Sequence, residues 1–407
     1  MKLRIFTVIA VFTALFAMCN TAIAQNQIEG KCIKTMEGNV DEPVINSVAY
    51  SPDGKYIVSC SNNGDIQFWN AKTGEENTTW NGYDAEFAMF SPDGKHILIG
   101  TENNDIRIEC FSEWNHPTKK SIEVVSFIPE GETYRVCNIT LEGHSGSVEC
   151  AAFSPDGKNV ISGSWDGTIK VWSLNTGKCI ATLGWGLDEV TSVVYSPDGK
   201  YFVGAGSKGI EEEFITEKGD TGLRWTSGIG DIKIFDAKTY ECVKTLKAND
   251  SGWQIFLAYS PDGKYIISST GGKTIQMWDV EKGECVKTLE ASAGSVSCLA
   301  YSPDGKYIVS GSNQPHSKTP DNNVRIWNAE TGKCIKTLEG HTKGVRSVAF
   351  SPDGKFIVSG SYDYNIKIWD AITGECLKII DAYYGGVECV AYSIDGKSFV
   401  TGLWDGT

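Results

Sequence analysis

Serine, histidine and aspartate occur together twice in this 407-residue sequence, and these residue types can perform nucleophilic hydrolysis. A catalytic triad needs one exposed nucleophile, whereas the same set appears here twice with the same spacing. The repetition therefore favours a structural role over catalysis. The two sets are His144, Ser162 and Asp166, followed by His341, Ser359 and Asp363.

Other motifs that could support chemistry are incomplete. The stretch GGKT at 271–274 is similar to the end of a phosphate-binding loop, but Ile267 stands where that loop requires glycine. The five histidines show no metal-binding spacing, and no two acidic residues form an identifiable general acid and base. We therefore predict no enzymatic activity, no cofactor and no bound metal.

The sequence is acidic, with 51 Asp and Glu residues against 37 Lys and Arg residues and a formal net charge of −14. Such a surface repels a phosphate backbone, and no basic stretch interrupts it. We therefore expect no nucleic-acid partner.

Residues 1–24 have the features of a secretory signal peptide. Lys2 and Arg4 form a basic start, 5–18 is apolar, and 22–24 forms a small-residue cleavage site. The apolar run is short for a membrane span, so we expect no span after cleavage. We predict export to the periplasm, the cell surface or the medium. A lipoprotein anchored at Cys19 is the alternative, although the bulky residue before it fits lipid attachment poorly.

Thirteen cysteines in an exported protein suggest disulfides, but most of these cysteines recur at two positions of a repeated phrase. No pair has the C-x-x-C spacing of a redox or zinc site. The recurrence predicts small apolar packing residues rather than bridge partners. The two groups are Cys32, Cys179, Cys242, Cys285, Cys334 and Cys376, and then Cys150, Cys298 and Cys389.

The phrase Ser-Pro-Asp-Gly-Lys occurs seven times, and an eighth variant begins at Ser393. Proline at the second position and glycine at the fourth predict a tight turn in which the glycine has positive φ. Four short stretches rich in Val, Ile and aromatic residues accompany each phrase, which is typical of four β-strands. No stretch shows a sustained helical period. Stacking such sheets radially covers their faces and leaves only short edges.

These units resemble the WD40 repeat family over nearly all of the chain after residue 24. The resemblance implies an all-β, WD40-type β-propeller with about eight four-stranded blades, formed as one domain by residues 25–407. The dipeptides that carry the resemblance are Gly143-His144, Gly340-His341, Trp278-Asp279 and Trp369-Asp370.

In that family, both ends of the chain pair within one blade to close the ring. The stretch 30–38 here resembles a lone fourth strand, whereas the unit that begins at Gly386 supplies two strands before Thr407. We therefore expect the eighth blade to be incomplete at the C-terminus and the sequence to be a fragment of a longer chain.

The resemblance also implies that the histidine, serine and aspartate of a unit join its third-strand tryptophan in a hydrogen-bonded network. Trp172 and Trp369 complete the two sets described above. Because unsatisfied partners weaken such networks, we expect the units that depart from the pattern to be less rigid. The departures are Asn63 in place of Asp, Glu109 and Phe235 in place of Trp, and Tyr383 in place of His.

Three inserts interrupt the repeats, at about 112–133, 208–230 and 313–322. Inserts in repeat proteins map to loops, which often bind partners. By resemblance, the second and third inserts rise from the top face of the propeller. The second insert combines three glutamates at 211–213 with Phe214 and Trp225.

Aromatic residues at equivalent positions form the candidate partner-binding surface. Exposed Trp and Tyr residues dominate the energetics of interfaces, and by resemblance these residues surround the top face. The residues that precede the turn aspartate are Trp165, Tyr362 and Trp404. The residues that lead into first strands are Trp80, Trp185, Trp253, Tyr383 and Tyr384, and Trp225 lies in the second insert.

We predict an exported scaffold or adaptor that binds a protein or peptide on this face without catalysis. The alternative is an envelope propeller that binds a glycan, because Trp and Tyr also stack on sugar rings. Glycan cleavage would need two closely spaced carboxylates in a top-face pocket. A third possibility is a recently expanded array of repeats with little selected function.

Overall fold

The computed structural model describes residues 44–404, with gaps at 82, 84, 102, 112–138, 185, 216–220, 228, 252–255, 270–271, 292–294, 314–319 and 383–384. The regular structure within these residues consists of 32 β-strands and no α-helix. Seven antiparallel sheets have four strands each, and an eighth has two.

The strands are numbered in chain order and grouped by sheet. Sheets 1 and 2 contain β1 (Ile45–Tyr50), β2 (Tyr56–Ser61), β3 (Ile66–Asn70) and β4 (Glu76–Trp80), then β5 (Ala85–Phe90), β6 (His96–Thr101), β7 (Ile106–Cys110) and β8 (Ile139–Leu141). Sheets 3 and 4 contain β9 (Val148–Phe153), β10 (Asn159–Ser164), β11 (Thr168–Ser173) and β12 (Cys179–Gly184), then β13 (Glu189–Tyr195), β14 (Tyr201–Ser207), β17 (Ile229–Asp236) and β18 (Cys242–Ser251).

Sheets 5 and 6 contain β19 (Phe256–Tyr259), β20 (Tyr265–Ser269), β21 (Thr274–Asp279) and β22 (Glu284–Glu290), then β23 (Ser295–Tyr301), β24 (Tyr307–Asn313), β25 (Val324–Asn328) and β26 (Cys334–Leu338). Sheets 7 and 8 contain β27 (Val345–Phe350), β28 (Phe356–Ser361), β29 (Asn365–Asp370) and β30 (Cys376–Asp381), then β31 (Val387–Tyr392) and β32 (Phe399–Leu403). A separate hairpin contains β15 (Gly209–Ile215) and β16 (Thr221–Ser227).

The repeated Ser-Pro-Asp-Gly-Lys phrase forms the turn between the first and second strands of each sheet. In sheet 7, the Ser351 hydroxyl donates to Asp353 Oδ1 at 2.6 Å and accepts the Phe356 N–H at 3.0 Å. The Lys355 N–H donates to the same carboxylate oxygen at 3.1 Å. Gly354 has a φ of +70°, a conformation that costs glycine little. The tight turn predicted from the phrase is confirmed.

Packing between neighbouring sheets arranges them in a ring. The first strands of neighbouring sheets contact one another around the ring, except between sheets 2 and 3, where β9 contacts β6. The first strands therefore line the centre, and the fourth strands lie outside. A buried hydrophobic cluster fills each space between neighbouring sheets. Large apolar side chains on both faces of the inner strands therefore hold the ring together. The predicted all-β propeller of about eight blades, with an incomplete last blade, is confirmed.

The two-stranded sheet 8 occupies the space between sheets 7 and 1. Its first strand contacts both β27 and β1. A cluster of Ile57 and Trp69 from sheet 1 with Ala391 and Val400 from sheet 8 fills the second of these interfaces. The described part of the chain thus forms a ring with eight positions.

Two glycines show that both interfaces of sheet 8 have the same geometry. A Cβ atom at Gly360 of β28 would lie 2.3 Å from Val387 Cγ1 on the next sheet. A Cβ atom at Gly402 of β32 would lie 2.6 Å from Ile45 Cγ2. Only a glycine allows the neighbouring first strand to approach so closely, so sheet 8 packs on sheet 1 as sheet 7 packs on sheet 8.

The insert at 208–230 forms a hairpin rather than an irregular loop. Strands β15 and β16 pair in register from Gly209 opposite Ser227 to Ile215 opposite Thr221. They continue the two central strands of sheet 4 beyond the end of the sheet, since β14 ends at 207 and β17 begins at 229. The whole insert predicted at 112–133 and most of the insert predicted at 313–322 lie outside the described residues.

The cysteines divide by position, which corrects the expectation that the recurring cysteines of both groups pack like apolar side chains. Cys60, Cys150 and Cys389 are buried on inner strands. The cysteines that begin or lie near the start of the fourth strands are exposed, because these strands form the outer edge of the ring. Cys110, at the end of β7, is disulfide-bonded. The exposed cysteines are Cys179, Cys242, Cys285, Cys334 and Cys376.

Candidate functional site

The second Ser-His-Asp set forms a buried network in sheet 7. His341 Nε2 lies 2.8 Å from Ser359 Oγ, and His341 Nδ1 lies 2.9 Å from Asp363 Oδ2. The Trp369 indole donates to the same serine oxygen at 2.8 Å. Ser359 is fully buried, so its hydroxyl cannot meet a substrate. The set connects β28, β29, the turn between them and the segment that precedes β27.

The first set repeats this arrangement in sheet 3. His144 lies 2.8 Å from both Ser162 Oγ and Asp166 Oδ2, and the Trp172 indole donates to Ser162 at 2.8 Å. Burial lowers the pKa of His144, despite the adjacent carboxylate. Burial alone would raise the pKa of Asp166, but hydrogen bonds from Thr168, the Ser145 N–H and the histidine lower it to about 2.

Sheets that lack the full set keep part of the network or replace it. The third-strand tryptophan still donates to a second-strand serine in Trp69–Ser59, Trp278–Ser268 and Trp327–Ser310, at 2.9, 2.9 and 3.0 Å. In sheet 4, Phe235 stacks on Phe202 with ring centroids 5.2 Å apart. In sheet 2, Glu109 is buried and accepts a 3.4 Å hydrogen bond from Tyr83. The lower rigidity expected for these sheets remains a prediction.

The turns after the second strands define the top face, and in sheets 3, 7 and 8 the turn residue before the aspartate position is held in the same way. Its N–H donates to the carbonyl of the residue that leads into the first strand. Trp165 is 52% exposed and Trp404 is 46% exposed, whereas Tyr362 is half-buried. The three bonds are Trp165 to Ser147 at 2.9 Å, Tyr362 to Gly344 at 3.0 Å and Trp404 to Gly386 at 3.0 Å.

Sheets 7 and 8 bring four side chains together at this face, and we call them the closed subsite. Arg346 Nε donates to Glu388 Oε2 at 2.6 Å, and the Trp404 indole donates to Glu388 Oε1 at 2.5 Å. The Tyr362 hydroxyl donates to the same oxygen at 3.4 Å, and the Tyr362 ring meets Trp404 edge-to-face at 5.1 Å. The carboxylate in the closed subsite is thus paired with a guanidinium.

Sheets 2, 3 and 4 bring together a related group, which we call the open subsite. Its members are Glu149, Trp165, Glu86 and Glu189. The Trp165 indole hydrogen-bonds to Glu149, as Trp404 does to Glu388. Burial, followed by the charges of Glu86 and Glu189, raises the pKa of Glu149 to about 8. Both of the charged groups in the described structure that shift the pKa of Glu149 are carboxylates.

The glutamates and the arginine of the two subsites were missed by sequence reasoning. Each of Glu86, Glu149, Arg346 and Glu388 lies five residues before the serine of its Ser-Pro-Asp-Gly-Lys phrase or its variant. The register shifts there, so each residue occupies a β-bulge that redirects its side chain. The detectable signal was a charged residue at a position where other repeats carry Asn46, Thr191 or Ser297.

The remaining predicted aromatic residues divide into two groups. Trp80 is buried and packs against Phe68 with ring centroids 4.5 Å apart, so its prediction as a top-face residue was wrong. A large apolar ring at the end of β4 fills the space between sheets 1 and 2. Trp225 lies on β16 opposite Glu211. The predicted residues outside the described part are Trp185, Trp253, Tyr383 and Tyr384.

The described residues contain no group of three or more His, Cys, Asp or Glu side chains placed to hold a metal ion. The same part of the chain has no helix of the length and apolar character that crossing a bilayer requires.

Comparison with known proteins gives matches to two family models. The model "WD domain, G-beta repeat" matches residues 30–70, 135–173 and 177–210. The model "IFT122 first beta-propeller" matches residues 253–407. Together the matches extend across both halves of the ring.

Similar proteins cover only part of this chain. Nuclear distribution protein PAC1 of Arthroderma otae is 26% identical over 291 residues, which cover 58% of each chain. WD repeat-containing protein 82 of Drosophila melanogaster is 25% identical over 249 residues, which cover 61% of this chain and 66% of that protein. The chain therefore spans less than two thirds of the length of these relatives.

A solved structure matches the whole fold. The computationally designed Ika8 protein superposes with a TM-score of 0.70 at 23% identity, covering 91% of this chain and 96% of that one. This likeness concerns the fold alone. WD40 propellers generally act as non-catalytic scaffolds that bind other proteins. On its repeats, its ring of sheets and its matches to the family models, the chain belongs to the WD40 repeat family of β-propellers.

Proposed function

We propose that this propeller is a scaffold that binds a protein or peptide partner on its top face and performs no catalysis. The observation that carries the proposal is the exposure of Trp165 and Trp404 at equivalent turns of that face. The third-strand tryptophans Trp172 and Trp369 are buried in the core, whereas the rings of Trp165 and Trp404 are exposed and available to a partner. WD40 propellers generally bind protein partners, which supports the same function.

The hydrogen bonds of the two exposed rings support a binding role over an incidental surface position. The N–H of each tryptophan donates a hydrogen bond to the carbonyl of the residue that precedes a first strand. The indole of each hydrogen-bonds to a buried or partly buried glutamate. Rings held in this way lose little conformational freedom when a partner covers them. They present an apolar face of fixed orientation, which suits an anchor at the centre of an interface.

We also propose that the protein is exported after cleavage at residue 24. Two features support this: the signal-like composition of the first residues and the disulfide at Cys110. N-terminal sequencing of the protein from its source cells tests the proposal. A start at Gln25 is expected, and a start at Met1 in the soluble cell fraction would contradict it.

Partner capture by matched variants tests the binding function. The variant Trp165→Ala/Trp404→Ala removes two exposed rings from the top face. The control Ile335→Ala/Ile379→Ala removes two comparably exposed apolar side chains, 45% and 53% exposed, from the outer strands. Immobilised wild-type protein and both variants are incubated with extract and medium from the source cells, and the retained species are identified by mass spectrometry.

The proposal predicts a protein that the wild type and the outer-strand control retain and the top-face variant loses. Circular dichroism and thermal unfolding first establish that all three proteins are folded. Equal retention by the three proteins would refute binding through these tryptophans. Retention of a polysaccharide with the same dependence on the tryptophans would instead support the glycan alternative.

A further inference from the structure

Sheet 8 presents the edge of a strand between two larger sheets. In the described part of the chain it contains β31 and β32, whereas its neighbours, sheets 7 and 1, contain four strands each. Because paired strands lie about 4.7–4.9 Å apart, the edge of β32 lies roughly 10 Å inside the rims of both neighbours. This edge is the floor of a groove with sheets 7 and 1 as its walls, which we call the sheet 8 groove. A strand or a hairpin can reach the floor, but the rim of a second propeller cannot.

Other interfaces of this chain show what covers the wall of such a groove. In four of them, the third-strand tryptophan of one sheet packs in the same buried cluster as a leucine on the fourth strand of the preceding sheet. Each of these leucines is at most 1% exposed. The pairs are Leu141–Trp172, Leu246–Trp278, Leu289–Trp327 and Leu338–Trp369.

The equivalent residue of sheet 7 meets no tryptophan among the described residues. Ile380 has the same register position on its fourth strand as Leu338, yet it is only half-buried. An intermediate case supports the comparison, because Leu183 packs beside Phe235 instead of a tryptophan and is also half-buried. The burial of this position therefore follows the ring that the next sheet supplies, and the wall at Ile380 is open to such a ring.

The floor of the groove carries the hydrogen-bond acceptor that this tryptophan uses elsewhere in the chain. In five sheets, the third-strand indole donates to the hydroxyl of a second-strand serine at 2.8–3.0 Å, as Trp369 does to Ser359. Each of these serines lies eight residues after the serine of its turn phrase. Thr401 lies eight residues after Ser393, so β32 has a hydroxyl at the same position, where it is half-buried.

A lysine on the same wall indicates a hairpin rather than a single strand. In three interfaces, the glycine in the turn between the third and fourth strands lies against a fourth-strand lysine of the preceding sheet. A Cβ atom at Gly374, for example, would lie 2.8 Å from Lys336 Cδ. Lys378 has the equivalent position in sheet 7 and is exposed. The lysines that are covered in this way are half-buried, and they are Lys244, Lys287 and Lys336.

We propose that the sheet 8 groove binds a β-hairpin of a partner protein. The first strand of the hairpin pairs with the edge of β32, a recognition mode known as β-augmentation. It carries a tryptophan whose ring packs on Ile380 and whose indole donates to Thr401, and the turn that follows lies against Lys378. The required pattern is that of β29, in which two alternate apolar residues precede the tryptophan. The groove opens on the outer side of the ring, so this inference goes beyond the proposed top-face function.

Two observations favour a partner protein as the source of the hairpin. The stretch 30–38, which resembles a fourth strand, contains no tryptophan and cannot supply the ring. Ile372, in the turn between β29 and β30, is 76% exposed, which suits contact with a larger body around the hairpin. Sheets with a hairpin of their own are polar at this turn position, so a hairpin alone does not require an apolar residue there. The polar residues are Lys72, Asn175, Lys238, Glu281 and Glu330.

A hairpin taken from this chain tests the inference. The probe is a fluorescein-labelled peptide of residues 364–381, which contains β29 and β30, with Cys376→Ser to prevent oxidation. The control peptide carries Trp369→Ala in addition. Fluorescence anisotropy with the full chain gives both dissociation constants. We expect the tryptophan peptide to bind at least about tenfold more tightly, because it alone supplies the ring. Equal binding of the two peptides, or no binding of either, would overturn the inference.

A pair of variants in the full chain locates the binding. Ile380→Asn makes the wall of the groove polar, and we expect it to weaken binding of the tryptophan peptide about tenfold. Ile335→Asn makes the same change at an exposed position on the fourth strand of sheet 6 and should leave binding unchanged. Circular dichroism establishes that both variants are folded. Binding that survives Ile380→Asn would place the peptide elsewhere and contradict the inference.

A third variant tests the contact between the indole and the hydroxyl. Thr401→Val keeps the shape of the side chain but removes the acceptor. We expect about fivefold weaker binding of the tryptophan peptide and unchanged binding of the alanine peptide, whereas Thr401→Ser should bind both peptides as the wild type does. A merely structural effect would weaken both peptides equally, and that result would refute the indole contact.

Two further measurements separate a partner hairpin from other occupants. In analytical ultracentrifugation we expect a monomer, and a dimer that the peptide dissociates would assign the groove to a second copy of the chain. The intact mass of the protein from its source cells is also measured. A chain that continues past Thr407 with a tryptophan-bearing strand would assign the groove to the chain itself. Either result would contradict binding of a partner.

The outcomes also distinguish this inference from the proposed function. If partner capture depends on Trp165 and Trp404 but the tryptophan peptide does not bind, the top-face function stands and the groove inference fails. If the peptide binds as expected but the top-face variant loses no partner, the groove is a hairpin site and the top-face function fails.

Discussion

At the scale of single residues, one buried hydroxyl can determine the stability of a sheet. Ser359 Oγ contacts both His341 Nε2 and the Trp369 indole, whereas Ser310 in sheet 6 accepts from Trp327 alone among the described residues. The two serines thus provide a comparison between a two-bond network and a one-bond contact.

We expect Ser359→Ala to lower the free energy of unfolding by about 2–3 kcal/mol and Ser310→Ala by about 1 kcal/mol. The difference arises because the first substitution leaves two buried polar groups without a partner and the second leaves one. Urea unfolding followed by tryptophan fluorescence measures both. Equal losses would show that the histidine contact contributes nothing to stability.

The charge state of Glu149 has a consequence for stability that depends on pH. Its carboxyl is opposed by Glu86 on β5 and Glu189 on β13, and it is bound by Trp165 in its own sheet. Its pKa rises from 4.5 to about 8 on folding, so the folded protein retains a proton that the unfolded chain releases. The associated stability is present below pH 4.5 and is lost as the pH rises through 8.

We therefore expect Glu149→Gln to be more stable than the wild type at pH 8, by roughly 1–3 kcal/mol. The difference should vanish near pH 4, where the wild-type carboxyl is protonated in both states. Thermal unfolding of both proteins across this range checks the prediction. A difference that stays constant with pH would contradict the raised pKa.

At the scale of elements, the strand that carries a cysteine decides whether that cysteine is reactive. Cysteines on the first two strands of a sheet lie between sheets, and those on the fourth strand lie on the outer edge. The repeated phrase alone did not show this, because both groups recur with equal regularity. Exposure depends on which strands are outermost, and that is a property of the ring.

Native-state alkylation should therefore distinguish the two groups. With excess iodoacetamide under native conditions, we expect rapid modification of fourth-strand cysteines such as Cys334 and Cys376. Cys150 and Cys389, whose thiols have pKa values raised by burial, should react only after unfolding. Peptide mass spectrometry reports each site, and modification of all cysteines at one rate would contradict the strand assignment.

The repeats made most of the fold predictable, and the parts that occur once were not. The turn at Ser351 and the networks around His144 and His341 belong to patterns that recur, so their structural roles could be predicted from the sequence. The hairpin at 208–230 occurs once and has no internal template. Glu149 and Glu86 belong to different sheets, so their convergence depends on inter-sheet packing that residue spacing does not encode.

At the scale of the whole molecule, sheet 8 joins the two ends of the described ring. Gly402 lies against Ile45 across the closing interface as Gly360 lies against Val387 across an ordinary one. If the ring is closed in solution, the two glycines are equivalent and neither has room for a methyl group.

We expect Gly402→Ala and Gly360→Ala each to lower the free energy of unfolding by about 1–3 kcal/mol, because the added methyl group overpacks the interface. Urea unfolding of both variants provides the comparison. A neutral Gly402→Ala beside a destabilising Gly360→Ala would show that sheets 8 and 1 do not pack together in solution.

The proposed function depends on which face of the propeller contacts the partner, and hydrogen exchange measures this most directly. Amide exchange of the full chain is followed by mass spectrometry with and without the captured partner. We predict protection of the top-face turns at 164–167 and 402–404 and of the first-strand segments that lead from them, with unchanged exchange at turns such as 351–355 on the opposite face. Protection confined to the opposite face or to the outer strands would contradict binding at the top face.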